Sequence, residues 1–175
     1  MLRFSRAMRL IAYVTSCAFG LAAVPATAQQ QQPFRIGAVL PLSGAFGVFG
    51  QNMKRGVEFA IQERGGKVLG RPIEVVWEDS ETKPQVAVQK TSRLIASGVD
   101  VLFGAASSGE TIAMMPLAAQ AKVPHLVTMS ADDRITGTNK TRYTFRTSNN
   151  LAMENVMVAE QVKALGLKKV YGVAA

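Results

Sequence analysis

Gly104-Ala105-Ala106-Ser107-Ser108-Gly109 sets two adjacent hydroxyls among small residues, between the apolar run Val99–Phe103 and a helical pattern that begins at Ser108. Such a junction suits an anion. Small side chains let a ligand approach the backbone, the serines can donate, and the unpaired amides of a helix start favour a carboxylate or phosphate. The same residues serve equally well as a plain helix cap. They also form a relaxed G-x-S-x-G nucleophile elbow around Ser107, with Ala105 at the first glycine position. A serine hydrolase would then need an acid followed by a histidine. The chain has one histidine, His125, and the only acid between is Glu110. His125 is expected to be structural.

The other polar groupings carry less chemistry. Gly44, Gly47 and Gly50 lack the G-x-G-x-x-G spacing of a dinucleotide site and read as a mobile loop over a pocket or as turn glycines. Glu78, Asp79 and Glu81 have no partners in a metal-ligand pattern, so a solvated acidic turn is expected. Met114, Met115, Met153 and Met157 fall at helical positions and read as core. A single cysteine, Cys17, excludes an internal disulfide and a multi-thiolate zinc site. No metal and no cofactor is expected.

Residues 1–28 have the parts of a secretory signal peptide. Arg3, Arg6 and Arg9 precede an uncharged, mostly apolar run from Leu10 to Val24, and Pro25 is followed by Ala26-Thr27-Ala28. The run is about 15 residues where a bilayer needs roughly 20, which argues against a membrane anchor. Lipidation at Cys17 would leave too short an apolar stretch before it. Cleavage after Ala28 removes three arginines and no acid, so the charge falls from +8 to +5. The remaining basic residues are scattered along the chain, which fits a solvated surface and not a nucleic-acid partner. Gln29–Pro33 is a short polar linker.

The elements that must position these residues alternate. Strands are expected at Phe34–Leu42, around Ile73, Val75 and Trp77, and at Val99–Phe103, Pro124–Thr128, Tyr143–Arg146 and Lys169–Ala174. Helices are expected from Met53 to Gly65, from Pro84 to Gly98, from Ser108 to Ala121 with a kink or break at Pro116, and from Leu151 to Leu165. This alternation argues for an α/β fold, a three-layer parallel sheet whose ligands sit at the carboxyl ends of the strands. A self-contained flavodoxin-like domain would instead draw Lys169–Ala174 into the same sheet.

In this order, Ile36-Gly37-Ala38-Val39-Leu40-Pro41-Leu42-Ser43-Gly44, Phe49-Gly50, Gly56–Ile61, Gly70-Arg71-Pro72-Ile73, Val101–Gly104 with Ser107-Ser108, Val123-Pro124 and Tyr143–Thr147 resemble the leucine/isoleucine/valine-type periplasmic solute-binding proteins of ABC transporters. The resemblance implies the type I binding-protein fold and a non-enzymatic role. A small ligand would be captured between two lobes and delivered to a permease complex at the membrane. Residue by residue, it places the carboxylate-binding serine at Ser108 beside Ser107, a covering aromatic at Phe49, and further contacts at Met129 and Ala131 with Ser130 between them. Ala131 stands where the family commonly has Thr, and Phe49 where Tyr is frequent. Amino acids, aromatic acids, amides and other small carboxylates therefore stay open as ligands. A sensory ligand-binding domain of the same fold also stays open. The resemblance further implies that 34–147 is most of an N-terminal ligand-binding lobe and 148–175 the start of a second lobe, as in a fragment of a longer protein. On that expectation the 175-residue chain binds no ligand tightly. Titration with a panel of amino acids and aromatic acids checks this, and micromolar affinity for any of them would contradict it.

Overall fold

A computed structural model describes residues 32–171. Six strands, β1 (Phe34–Leu40), β2 (Lys67–Val68), β3 (Arg71–Asp79), β4 (Val101–Gly104), β5 (His125–Val127) and β6 (Thr144–Arg146), form one sheet in the order β2-β3-β1-β4-β5-β6. All neighbours pair parallel except β2, which runs antiparallel to β3. The chain is joined by helices α1 (Gly47–Glu63), α2 (Pro84–Ala96), α3 (Ser108–Ala121) and α4 (Leu151–Ala164).

The strand order decides the layers. The chain steps from β1 one way to β3, then back across β1 to β4 and on to β5. Right-handed crossovers therefore put α1 on one face of the sheet and α2 and α3 on the other. Under α2 and α3 lies the main core, in which Val39, Leu102 and Ala105 meet Ala87, Leu94, Met114 and Ala118. A smaller cluster joins Met115 to Val127 and Ile135. Central strands of a parallel sheet are covered on both faces, which explains why β1 is apolar without a break from Ile36 to Leu40 and does not alternate.

Several expectations change. The first loop ends at Phe46, and both Gly47 and Gly50 belong to the first turn of α1. Gly50 is buried, and a Cβ there would lie 2.1 Å from the Pro41 carbonyl, so this glycine lets the helix start touch the chain leaving β1. Pro116 does not break α3, which runs unbroken between a capping box at Ser107 and a left-handed Lys122. The two-residue strand β2 is additional to the expected set. Met153 and Met157 are 58% and 69% exposed and are not core; no residue of α4 is buried. Lys169–Tyr171 pairs with no strand, and the rest of the expected sixth strand lies outside the described residues, as does the expected signal peptide. Among the described residues no helix is long and apolar enough to cross a membrane.

Two alanine substitutions in α1 separate close approach from helix propensity. Gly50→Ala is expected to destabilise the chain by about 3 kcal/mol through the clash with Pro41. Gly56, where an added Cβ would meet nothing within 4 Å, should gain about 0.5–1 kcal/mol as alanine. Urea unfolding of both variants checks the pair.

Candidate ligand-binding site

The loops after β1, β3, β4 and β5 all leave the same edge of the sheet. Two buried or half-buried polar hubs hold them. The first is Asp79, at the end of β3, whose carboxylate accepts from Leu42 N (2.9 Å), Ser43 N (3.2 Å), Ser43 Oγ (2.6 Å) and Glu81 N (2.9 Å). Partial burial works against ionisation of Asp79, but the Ser43 hydroxyl and the three amides together outweigh it and hold the carboxyl below its ordinary value. Phe46 N donates to Thr82 Oγ1 (3.2 Å), so the same turn anchors the start of α1. Phe46 and Phe49 then stand edge to face, 5.8 Å between centroids, and both are exposed. Glu78, one residue back, pairs with Lys90 (2.5 Å) and Arg93 (3.6 Å). Glu78 and Asp79 are thus half-buried ties, which corrects for these two the expectation of a solvated acidic turn, while Glu81 is exposed as expected.

The second hub lies between β4 and β5. Ala105 N donates to Thr111 Oγ1 (3.3 Å), and Ser130 Oγ donates to Ala105 O (3.1 Å). Thr111 Oγ1 and Ser130 Oγ are 2.6 Å apart. Because the Ser130 proton goes to Ala105 O, the Thr111 hydroxyl must donate to Ser130. The result is a closed, directional ring that starts and ends on one residue. Ser130 is 1% exposed and its hydroxyl is committed inside the protein. Sequence reasoning groups Ser130 with the ligand contacts; in the structure its hydroxyl bonds Thr111 and Ala105 and ties the two loops together. Sequence reasoning misses Thr111, since a threonine on an apolar helix face carries no signal until its partner is known.

Above the ring, α3 begins. Ser107 Oγ accepts from Glu110 N (3.3 Å) while Glu110 Oε2 accepts from Ser107 N (3.2 Å), a reciprocal capping box. The amides of Ser108 and Gly109 have no intrahelical acceptor, as in any first turn. Ser108 Oγ accepts from Asp132 N (3.2 Å), which leaves its own proton free to donate outward. Ala131 is half-buried and Met129 is exposed on the adjoining loop. Of the sequence-derived residues, Ser107, Ser108, Met129, Ser130 and Ala131 thus share the β4 and β5 loops, while Phe49 belongs to the first turn of α1 at the same sheet edge.

His125 does not meet Ser107 in a catalytic pair. Its Nε2 donates to Gly104 O (2.7 Å), which fixes the neutral Nε2–H tautomer, and Nδ1 has no partner. Burial pushes the imidazole down to about 4, only partly offset by the bond to Gly104. With Ser107 Oγ occupied in the helix cap, the hydrolase reading is not favoured. Among the described residues no group of His, Cys, Asp and Glu could hold a metal ion. A concavity of about 670 Å³ lies elsewhere, between α1 and its face of the sheet, where Val57, Ile61, Ile36 and Phe103 line an open apolar groove.

Residues 33–175 match the family model described as periplasmic binding protein, and the chain belongs to that family. Within it the fold is that of a lobe of the type I binding proteins. A Leu/Ile/Val-binding protein homologue of Brucella abortus (strain 2308) is 30% identical over 95% of this chain and 42% of its own length. A solute-binding protein of an ABC transporter from R. palustris, solved in complex with benzoate, is 33% identical, with a TM-score of 0.74 over 78% of this chain and 38% of that one. The branched-chain amino acid binding protein of Streptococcus pneumoniae, solved with isoleucine, is 28% identical, with a TM-score of 0.63 over 68% and 34%. The chain therefore spans between about a third and two fifths of the length of these relatives.

Two groups give the site's scaffold a pH dependence of known sign. His125 is neutral when folded and takes up a proton more easily when unfolded, so stability is full above its unfolded value of 6.5 and is lost as pH falls toward 4. The loss should reach about 3 kcal/mol across that window. Asp79, ionised more readily when folded, adds a further loss only below its ordinary value of 3.8. Urea midpoints at pH 7, 5.5 and 4.5 check the first window, and a flat profile over it would contradict the buried neutral imidazole.

Proposed function

We propose that residues 34–147 are the first ligand-binding lobe of an extracytoplasmic, periplasmic solute-binding component of an ABC transporter, and that 148–175 begin its second lobe. In this reading residues 1–28 direct export, 29–33 link the leader to the lobe, and the captured ligand passes to a permease complex at the membrane. The protein binds and releases its ligand unchanged.

The observation that carries the reading is the start of α3. Two amides without an intrahelical acceptor and a Ser108 hydroxyl that keeps its proton lie together there, and in this reading they form a cradle for a carboxylate at the positive end of a helix dipole. Beside it the apolar groups are Met129, exposed, and the exposed Phe46–Phe49 pair on the loop after β1. Two carboxylates of these loops are not free for an ammonium group: Asp79 is saturated by four donors, and Asp132 is held by Arg134 (2.6 Å). The ligand class that fits the described side of the site is a small carboxylate with an apolar or aromatic body. The benzoate and isoleucine bound by the two structural neighbours both fall within this class.

Titration of the chain with benzoate, 4-hydroxybenzoate and isoleucine tests the class. The described residues line one side of the ligand, so dissociation constants of about 1 mM are expected, near −4 kcal/mol. Ser108→Ala should weaken benzoate at least about tenfold, since one hydrogen bond to a charged group is worth about 1.5–3 kcal/mol net. Equal affinity in the variant would place the carboxylate elsewhere. Ser107→Ala should lower stability by about 1 kcal/mol through loss of the cap, and neither protein should turn over generic esters.

A further inference from the structure

Arg146, the last residue of β6, is the one side chain in the described structure that reaches both the β5 loop and the segment leading into α4. Its Nη1 donates to Ala131 O (3.2 Å) and to Asn149 O (3.3 Å), and its Nη2 donates to Asp132 O. Backbone contacts run in parallel. Leu151 N donates to the same Ala131 carbonyl (2.9 Å), Ala152 N to Asp133 Oδ1 (3.2 Å) and Thr147 N to Val127 O (2.9 Å). Asp132 N in turn donates to Ser108 Oγ, so the chain of contacts ends on the carboxylate cradle.

The chemistry of the guanidinium explains the choice. A planar fork with several donors can hold three carbonyls from two segments in one fixed arrangement, which an ammonium, a point charge on a flexible stem, cannot do. The residues Arg146 holds on the ligand side, Ala131 and Asp132, are those that flank the cradle. On the other side it holds Asn149, whose neighbour Asn150 caps α4 through Met153 N (2.9 Å). Among the described residues none of α4 is buried, and the contacts above all fall at the start of the helix. We propose that Arg146 is a positioning residue which locks the β5 ligand loop to segment 147–151, so that occupancy of the loop is transmitted to the start of α4. The transmission to ligand rests on the functional reading above; the lock itself does not.

Amide hydrogen exchange, read residue by residue on the chain with and without benzoate, tests both parts. In Arg146→Ala the amides of Asp132, Leu151 and Ala152 should exchange at least tenfold faster while those of Val39 and Leu102 in the core stay within about twofold of wild type. Arg146→Lys, which keeps the charge and serves if the alanine variant does not fold, should loosen the same three amides and weaken benzoate about tenfold. Full protection in the lysine variant, an equal rise across the whole lobe, or no change at all would each overturn the lock. In the wild-type chain, benzoate that shifts the Ser108 amide should also slow exchange at Leu151 and Ala152. Absence of that slowing overturns the transmission and leaves the ligand reading standing. Benzoate that shifts no amide overturns the ligand reading together with the transmission, while the exchange rates of the unliganded variants still decide the lock.

Discussion

A parallel sheet ends on a row of loops that the sheet's own hydrogen bonds do not fix, and a site built there needs ties of another kind. Here the decisive tie is the ring that runs from Ala105 N through Thr111 and Ser130 back to Ala105 O. It is fully buried, so each hydroxyl must stay paired or leave a polar group without water. That demand sets the distance between the β4 loop and the β5 loop, and with it the opening between α3 and Ala131. His125 reinforces the same place from below by donating to Gly104 O. Removing either hydroxyl would leave a buried partner unpaired, and removing both would leave the Ala105 amide and carbonyl without theirs.

The remaining features follow from where that ring sits. With the Ser107 side chain turned into the helix cap, Ser108 is left to face outward, and its hydroxyl takes up Asp132 N while keeping a proton to give. Asp79 does for the β1 and β3 loops what the ring does for β4 and β5, using a carboxylate where the ring uses hydroxyls. The charged carboxylate can tolerate partial exposure, whereas the hydroxyl pair needs the dry interior it has. Both devices leave donors and apolar surface at this end of the sheet, and the Asp79 carboxylate is fully occupied.

Much of this is legible in the residues. Pro84 and Gly98 bracket α2 because one has no amide to lose at a helix start and the other takes the left-handed turn beyond its end. The apolar runs of β1 and β4 announce strands covered on both faces, and Ser107 with Glu110 announces a helix start. What is not legible depends on distance across the fold. Gly50 reads as a loop residue until the Pro41 carbonyl is found against it. The strand β2 is too short to show a period and exists only because β3 is there to pair with it. Thr111, Ser130 and Arg146 each sit in an ordinary local pattern, and their roles appear only when three loops are brought together. Met153 and Met157 have helical spacing, but spacing alone does not say whether a helix has something to pack on.

Every functional conclusion drawn from this lobe turns on a small carboxylate held at the start of α3. A crystal structure of the chain grown with benzoate tests it most directly. The prediction is a carboxylate oxygen about 3 Å from the Ser108 amide and hydroxyl, with the ring directed toward Phe49 and Met129. Benzoate found instead in the apolar groove between Val57, Ile61 and Phe103, with the α3 start empty, would contradict it.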